Sequence, residues 1–167
     1  MVNVSLDLIK ELRERTGAGV MDCKRALEMA GGDIESAVQV LTEQGIASAA
    51  KKAHRVTAQG VIEAYVHAGR IGALVEVNCE TDFVARTPDF QQLAHEIAMQ
   101  VAARDPLVVS EQDLPAGAEG EPEELVLMLQ PYIRDESKNI RQLVNEVIGK
   151  TGENIQVRRF ARFELGQ

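Results

Sequence analysis

Tryptophan is absent from this chain, and only four Phe and two Tyr occur in its 167 residues. Nucleic-acid surfaces that interleave aromatic and basic side chains therefore have little material here. Two cysteines, Cys23 and Cys79, lie far apart with no C-x-x-C spacing, so neither a zinc site nor a thioredoxin-like centre is indicated, and both thiols are expected to be reduced and semi-buried. No apolar run approaches the roughly 20 residues that cross a bilayer. The opening M-V-N-V-S-L-D-L-I-K lacks the basic region and apolar core of a signal peptide. A cytoplasmic protein with no membrane contact is the expectation. Basic charge is scarce as well. The formal charge is -8, with eight basic and eight acidic residues in positions 1–60 but ten basic against eighteen acidic in 61–167. Phosphate binding needs a basic face, so the partner is a protein and nucleic acid is not contacted directly.

What is present is a globular composition, 45% hydrophobic and 26% charged, long enough to build a core without disulfides. Positions 1–50 read as three short helices. Ser5 is an N-cap, with Val4 and Ile9 placed for a hydrophobic staple. Leu8, Ile9 and Leu12 line the first helix, which stops at T-G-A-G; Cys23, Ala26, Leu27 and Ala30 line the second, which stops at Gly31 and Gly32. Asp33 caps the third, where Ile34, Ala37, Val38 and Leu41 follow the amphipathic template until Gly45 ends it. Positions 51–57 read as a basic helical linker, and 58–167 as a second, α+β domain. There the period changes to two: Val61, Ile62, Tyr65 and Val66, a turn at 67–70, and a near-continuous apolar run at 71–77 make a hairpin whose second arm is central. A helix over about 89–103 buries Phe90, Leu93, Ala94, Ile97, Ala98 and Val101, with Pro88 in its first turn. Positions 105–124 hold seven acids, three prolines and no basic residue, which is a solvated loop with room for one helical turn. Helices follow at 125–129 and 136–150. Ile155, Val157, Phe160 and Phe163 then make a third antiparallel strand, bulged near Arg158 and Arg159.

Catalytic constellations fail when tested. His95-Glu96 opens H-E-x-x-H, but the second His is replaced by Met99; Gly149-Lys150-Thr151 ends like a phosphate loop, but the required earlier glycine is Val144. T-G-A-G-V joins two helices and not a strand to a helix, so it is no dinucleotide turn. Glu76, Glu80 and Asp82 have no nucleophile or orienting His nearby in sequence. No metal site, no cofactor and no catalytic residue are expected. The most informative stretch is L-V-E-V-N-C-E-T-D-F-V-A-R at 74–86, where a buried strand turns polar and then presents Phe83. Beside Asp82, that aromatic is either an anchor for a partner's pocket or a cap folded back on the core.

Three stretches carry a resemblance: L-R-E-R-T-G-A-G-V-M-D-C-K-R-A-L at 12–27, V-E-V-N-C-E-T-D-F-V-A-R at 75–86 and G-E-N-I-Q-V-R-R-F at 152–160. In them the chain closely resembles the elongation factor Ts family, exchange factors for the translational GTPase elongation factor Tu. The resemblance implies a three-helix, UBA-like module followed by a core of a three-stranded antiparallel sheet packed with helices, both contacting the GTPase. It implies that the tip Thr81, Asp82, Phe83 and Val84 intrudes to disturb the magnesium and phosphate site, and that Arg13, Gly19, Val20 and Met21 meet the nucleotide-binding domain. Many members have two methionines where this chain has Val20-Met21, which makes that contact smaller here. One copy of the core pattern fits, as in the short form of the family, so a homodimer is expected. The competing reading is an adaptor whose helical module binds ubiquitin-like partners and which leaves nucleotide release untouched.

Overall fold

The computed structural model of the chain describes residues 4–167; the first three positions of the expected 1–50 module lie outside the described residues. Helices α1 (Leu6–Thr16), α2 (Val20–Met29) and α3 (Ile34–Lys52) open the chain. Ser5 and Asp33 cap α1 and α3 as the pattern demands, their side chains accepting from the N–H groups of Leu8 and Ser36. Ile9, Leu12, Cys23, Ala26, Leu27 and Ala37 form a small core of their own, against which Val4 and Leu41 also pack.

Gly45 does not end α3. The helix runs on to Lys52, crossing α7 (Ile140–Thr151) where Gly45 faces Gly149; a β-carbon on Gly149 would sit 3.8 Å from the Gly45 Cα. Glycine inside a helix costs about 1 kcal/mol relative to alanine, but here it lets two backbones meet, and Ala49 then packs on the larger core. Of the expected helical linker at 51–57, only Lys51 and Lys52 are helix, as the last residues of α3. The linker's remainder is tied down by Asn154, whose side-chain amide donates to the carbonyls of Arg55 at 2.9 Å and Ala53 at 3.5 Å.

The hairpin forms as expected from β1 (Gln59–His67) and β2 (Ile71–Cys79), and β5 (Ile155–Glu164) completes a three-stranded antiparallel sheet in the order β1-β2-β5. The protein is therefore α+β. Ala73, Val75, Val77 and Cys79 point inward from β2 onto α5 (Pro88–Arg104), whose six expected core residues are all buried. Opposite β2 the register slips, with Glu76 facing Arg159 but Val77 facing Val157, so Arg158 is the bulged residue. One extra residue reverses which side chains face inward. Ile155 and Val157 are buried before the bulge, Phe160 packs on the core after it, and Phe163 is turned out.

Between α5 and α7 the chain departs from its local pattern at three places. Positions 105–124 are not simply solvated: Pro106 is buried, the Leu107 and Val108 N–H groups donate to the Leu125 carbonyl, and Val108 bridges Val126 in parallel. The helix expected at 125–129 resolves into α6 (Pro122–Leu125) and a 3-10 turn at Leu127–Leu129, separated by extended Val126. The helix expected at 136–150 starts late, because β3 (Pro131–Tyr132) and β4 (Asp135–Asn139) form a small hairpin first. Asn139 then caps α7 through a reciprocal box with Gln142, whose side chain accepts from the Asn139 N–H at 2.8 Å. Buried Gln100 and Gln130 fasten this segment to α5, the former accepting from the Ile133 N–H at 3.0 Å. Among the described residues no helix is long and apolar enough to cross a membrane.

At Gly60 the sheet tolerates no side chain. Its φ is 151°, and a β-carbon would lie 2.1 Å from the Val77 carbonyl oxygen. Gly60→Ala is expected to destabilise the chain by about 2–4 kcal/mol, lowering the thermal midpoint by roughly 5–15 °C. Thermal unfolding followed by circular dichroism checks it; an unchanged midpoint would show that β1 can move aside freely.

Candidate functional site

Where β2 ends, the chain leaves the sheet through a single helical turn, α4 (Asp82–Ala85), capped by the Thr81 side chain. Val84 and Ala85 turn into the core, whereas Phe83 is 79% exposed. The cap-on-the-core alternative for Phe83 is therefore not what the fold adopts. Val84 is buried, so of the four tip residues it seats the segment instead of offering surface. Asp82 pairs across the turn with Arg86 at 2.9 Å, an exposed contact worth little to stability. Thr87 caps the following helix α5, so two consecutive caps fix the path on both sides of Phe83.

The corner is gripped from the far end of the chain. Glu153 accepts from the Thr81 hydroxyl at 2.6 Å, the Thr81 N–H at 3.0 Å and the Glu80 N–H at 3.1 Å. In return the Glu80 carboxylate accepts from the Asn154 N–H at 2.7 Å and meets the Arg55 guanidinium at 3.4 Å. The backbone N–H of Asn154, with Arg55 behind it, holds the Glu80 carboxyl below its ordinary value. Next to it, burial and then the charge of Glu153 push the Cys79 thiol up to about 11, so it stays protonated and donates to the Thr81 carbonyl. In the sequence Glu153 and Asn154 stand only within the G-E-N-I stretch, with no local pattern that gives them a role. Their pairing with the E-T-D-F stretch was the missed signal.

The second candidate segment is the α1–α2 turn. Gly17, at φ 65°, ends α1, and the stem of Lys150 lies across it, since a β-carbon there would be 2.8 Å from Lys150 Cε and Nζ. Gly19 begins α2 and presents Val20 and Met21, 48% and 63% exposed; Arg13 is exposed as well. The Lys150 ammonium also reaches Asp89, at 3.8 Å, in the first turn of α5. One side chain thus touches both the α1–α2 turn and the helix that follows the Phe83 turn. A cleft of about 690 Å³ opens between Gly19, α3 and α7.

Among the described residues no three His, Cys, Asp or Glu side chains gather as metal ligands. His95 instead bonds Glu63 at 2.9 Å and stacks edge-on against Tyr65. The Tyr132 hydroxyl is held protonated by burial and by Glu96, to which it donates at 2.8 Å.

Three helices with a core of their own thus precede an α+β sheet, which carries an exposed aromatic on a doubly capped turn. The family model described as Elongation factor TS matches residues 27–122. Elongation factor Ts of Desulforamulus reducens is 46% identical, covering 100% of this chain and 91% of that protein. Elongation factor Ts of Thermotoga petrophila is 49% identical over 99% of this chain and 98% of its own length, and that of Thermotoga maritima 48% over the same shares. The aligned stretches are longer than the chain itself, so these relatives carry residues it does not have. The chain belongs to the elongation factor Ts family, and its role is in translation elongation.

Because Glu80 titrates lower in the folded chain than its ordinary 4.5, its contribution to stability is complete above pH 4.5 and is lost as pH falls through the folded value. The parent is expected to lose thermal stability below pH 4.5 more steeply than Glu80→Gln, whose side chain does not titrate. Parallel melting curves against pH for the two would remove Glu80 from the acid response.

Proposed function

We propose that the chain is a guanine nucleotide exchange factor that binds elongation factor Tu, GDP-bound and nucleotide-free, and promotes GDP release by inserting the Asp82–Phe83 tip. The observation that carries this reading is Phe83, 79% exposed between a capping Thr81 and buried Val84 and Ala85. An aromatic held out on a fixed turn is preorganised to enter a pocket. Release is accelerated only if the factor binds the nucleotide-free state better than the loaded one. A wedge that disturbs the magnesium and phosphate site meets that requirement with no catalytic residue and no cofactor of its own. Arg13, Gly19, Val20 and Met21 supply a second contact, so positions 1–50 hold the GTPase while 58–167 act on it, joined through 51–57. The work is done in the cytoplasm.

Phe83→Ala tests the tip. The free protein should keep its stability within about 0.5 kcal/mol, as surface changes do. Nucleotide release from elongation factor Tu should slow by about thirtyfold, the worth of a buried interface aromatic. A destabilised variant, or a stable one that releases nucleotide at the parental rate, overturns the reading. An adaptor would leave release unaffected by the parent itself.

A homodimer completes the proposal, supported by the outward face of the sheet. Ile62 and Val66 of β1, Leu74 of β2 and Phe163 of β5 are 46–70% exposed on the side away from α5, with Leu165 just beyond. One sheet face with this apolar content fits a second copy of itself about a two-fold axis, with β5 in the contact. Sedimentation at micromolar concentration should give a dimer that Phe163→Asp converts to monomer; a parent that stays monomeric counts against it.

A further inference from the structure

We propose that Glu153 is a positioning residue for nucleotide release, its carboxylate setting the orientation of the Asp82–Phe83 turn from a place 72 residues beyond Thr81. The inference rests on the exchange reading and goes beyond it, since Glu153 has no share in the exposed tip. Three donors converge on this carboxylate: the Glu80 and Thr81 N–H groups and the Thr81 hydroxyl. The two N–H bonds fix the peptide planes from which α4 departs. The hydroxyl bond fixes a rotor. With its proton committed to Glu153 at 2.6 Å, the Thr81 oxygen turns its lone pairs toward the Val84 N–H, which donates to it at 3.4 Å. A relay therefore runs from carboxylate to hydroxyl to the first turn of α4, each bond polarising the next.

The corner has other holdfasts. Val84 and Ala85 are buried, Cys79 donates to the Thr81 carbonyl, and Glu80 receives the Asn154 N–H, none of them through the Glu153 side chain. Removing the Glu153 carboxylate therefore frees the direction in which Phe83 projects without detaching β2 from β5. A wedge held at the wrong angle still docks through the α1–α2 turn but deforms its target less. That separation marks a positioning residue.

The test uses the full chain carrying Glu153→Ala, Glu153→Gln, Phe83→Ala and the Phe83→Ala/Glu153→Ala pair, with release of a fluorescent GDP analogue from elongation factor Tu measured against factor concentration. Glu153→Ala should lower the maximal release rate by roughly tenfold, the worth of hydrogen bonds to a charged group, with little change in the half-saturating concentration. Glu153→Gln keeps an oxygen for the N–H donors but sets an amide nitrogen against the Thr81 hydroxyl, and should release nucleotide at a rate between those of the parent and Glu153→Ala, at a parental melting temperature. In the paired variant the Glu153 substitution should add nothing to Phe83→Ala, since both act through one aromatic. Parental release by Glu153→Ala overturns the inference, as do losses that add in full, or a rate loss that tracks only the unfolded fraction. If Glu153→Ala does not fold, Glu153→Gln decides, a parental maximal rate counting against the inference and a slower one for it. Parental release by Phe83→Ala would bring down the exchange reading and this inference together; slowed release by Phe83→Ala beside parental release by Glu153→Ala overturns this inference alone.

Discussion

Two carboxylates exchanged across one corner hold this structure together where it matters. The β2–β5 ladder ends with Cys79 opposite Ile155, and beyond that pair the chains diverge, one into α4 and the other into α7. Backbone groups at such a divergence lose their ladder partners, and unmet polar groups there are costly. Glu80 and Glu153 supply the missing acceptors, each taking an N–H from the opposite chain. Side chains continue the ladder that the backbone abandons. The main core, the path of α4 and the end of α3 all meet at this point, since Asn154 also binds the Ala53 and Arg55 carbonyls.

Much of the fold was legible because most elements announce themselves locally. α1, α2, α5 and the β1–β2 hairpin follow from periodicity and caps that lie within each segment. The failures share a cause. Gly45 reads as a helix end until Gly149 of another helix is brought against it, and 136–139 read as helix until Pro131 pairs with Asn139 and Tyr132 with Asp135. In both cases a tertiary partner overrules a local preference. The candidate site divides in the same way. Phe83 stood out by composition, but its exposure was undecidable from pattern, because burial depends on whether Val84 or Phe83 turns inward after Thr81. Glu153 was invisible as a site residue, since nothing local joins it to Thr81.

The bulge at Arg158 shows how one residue allocates a whole face. Without it, β5 would keep one parity along its length, and Phe163 would share the inner face with Ile155 and Val157. Phe160 would then point outward. With the bulge, Phe160 joins the core beside Val75, and Phe163 joins Ile62, Val66 and Leu74 outside. Arg162 comes inward as well, where it donates to the Ala102 carbonyl at 3.2 Å and meets Asp105 at 3.4 Å, closing the end of α5. A cation at a helix C-terminus is favourably placed. The insertion thus gives the sheet an apolar outer surface and α5 a basic cap in one step.

Stiffness explains why the tip is built on a corner instead of a loop. An element that is to deform a partner must resist deformation itself; otherwise the interaction free energy is absorbed by its own rearrangement. A free loop bearing Phe83 would lose conformational entropy on docking, about 1–2 kcal/mol for each backbone residue ordered. Here that ordering already exists in the free chain: Thr81 caps α4, Thr87 caps α5, Val84 and Ala85 are buried, and the Glu80–Glu153 exchange ties the segment to the central strand. On the proposed exchange reading, contact made by Phe83 is then available to shift the partner's equilibrium. The N-terminal module supplies a different quality. Its Val20 and Met21 sit on a turn that meets the core through Lys150, and on the proposed exchange reading that turn holds the partner while the rigid corner acts.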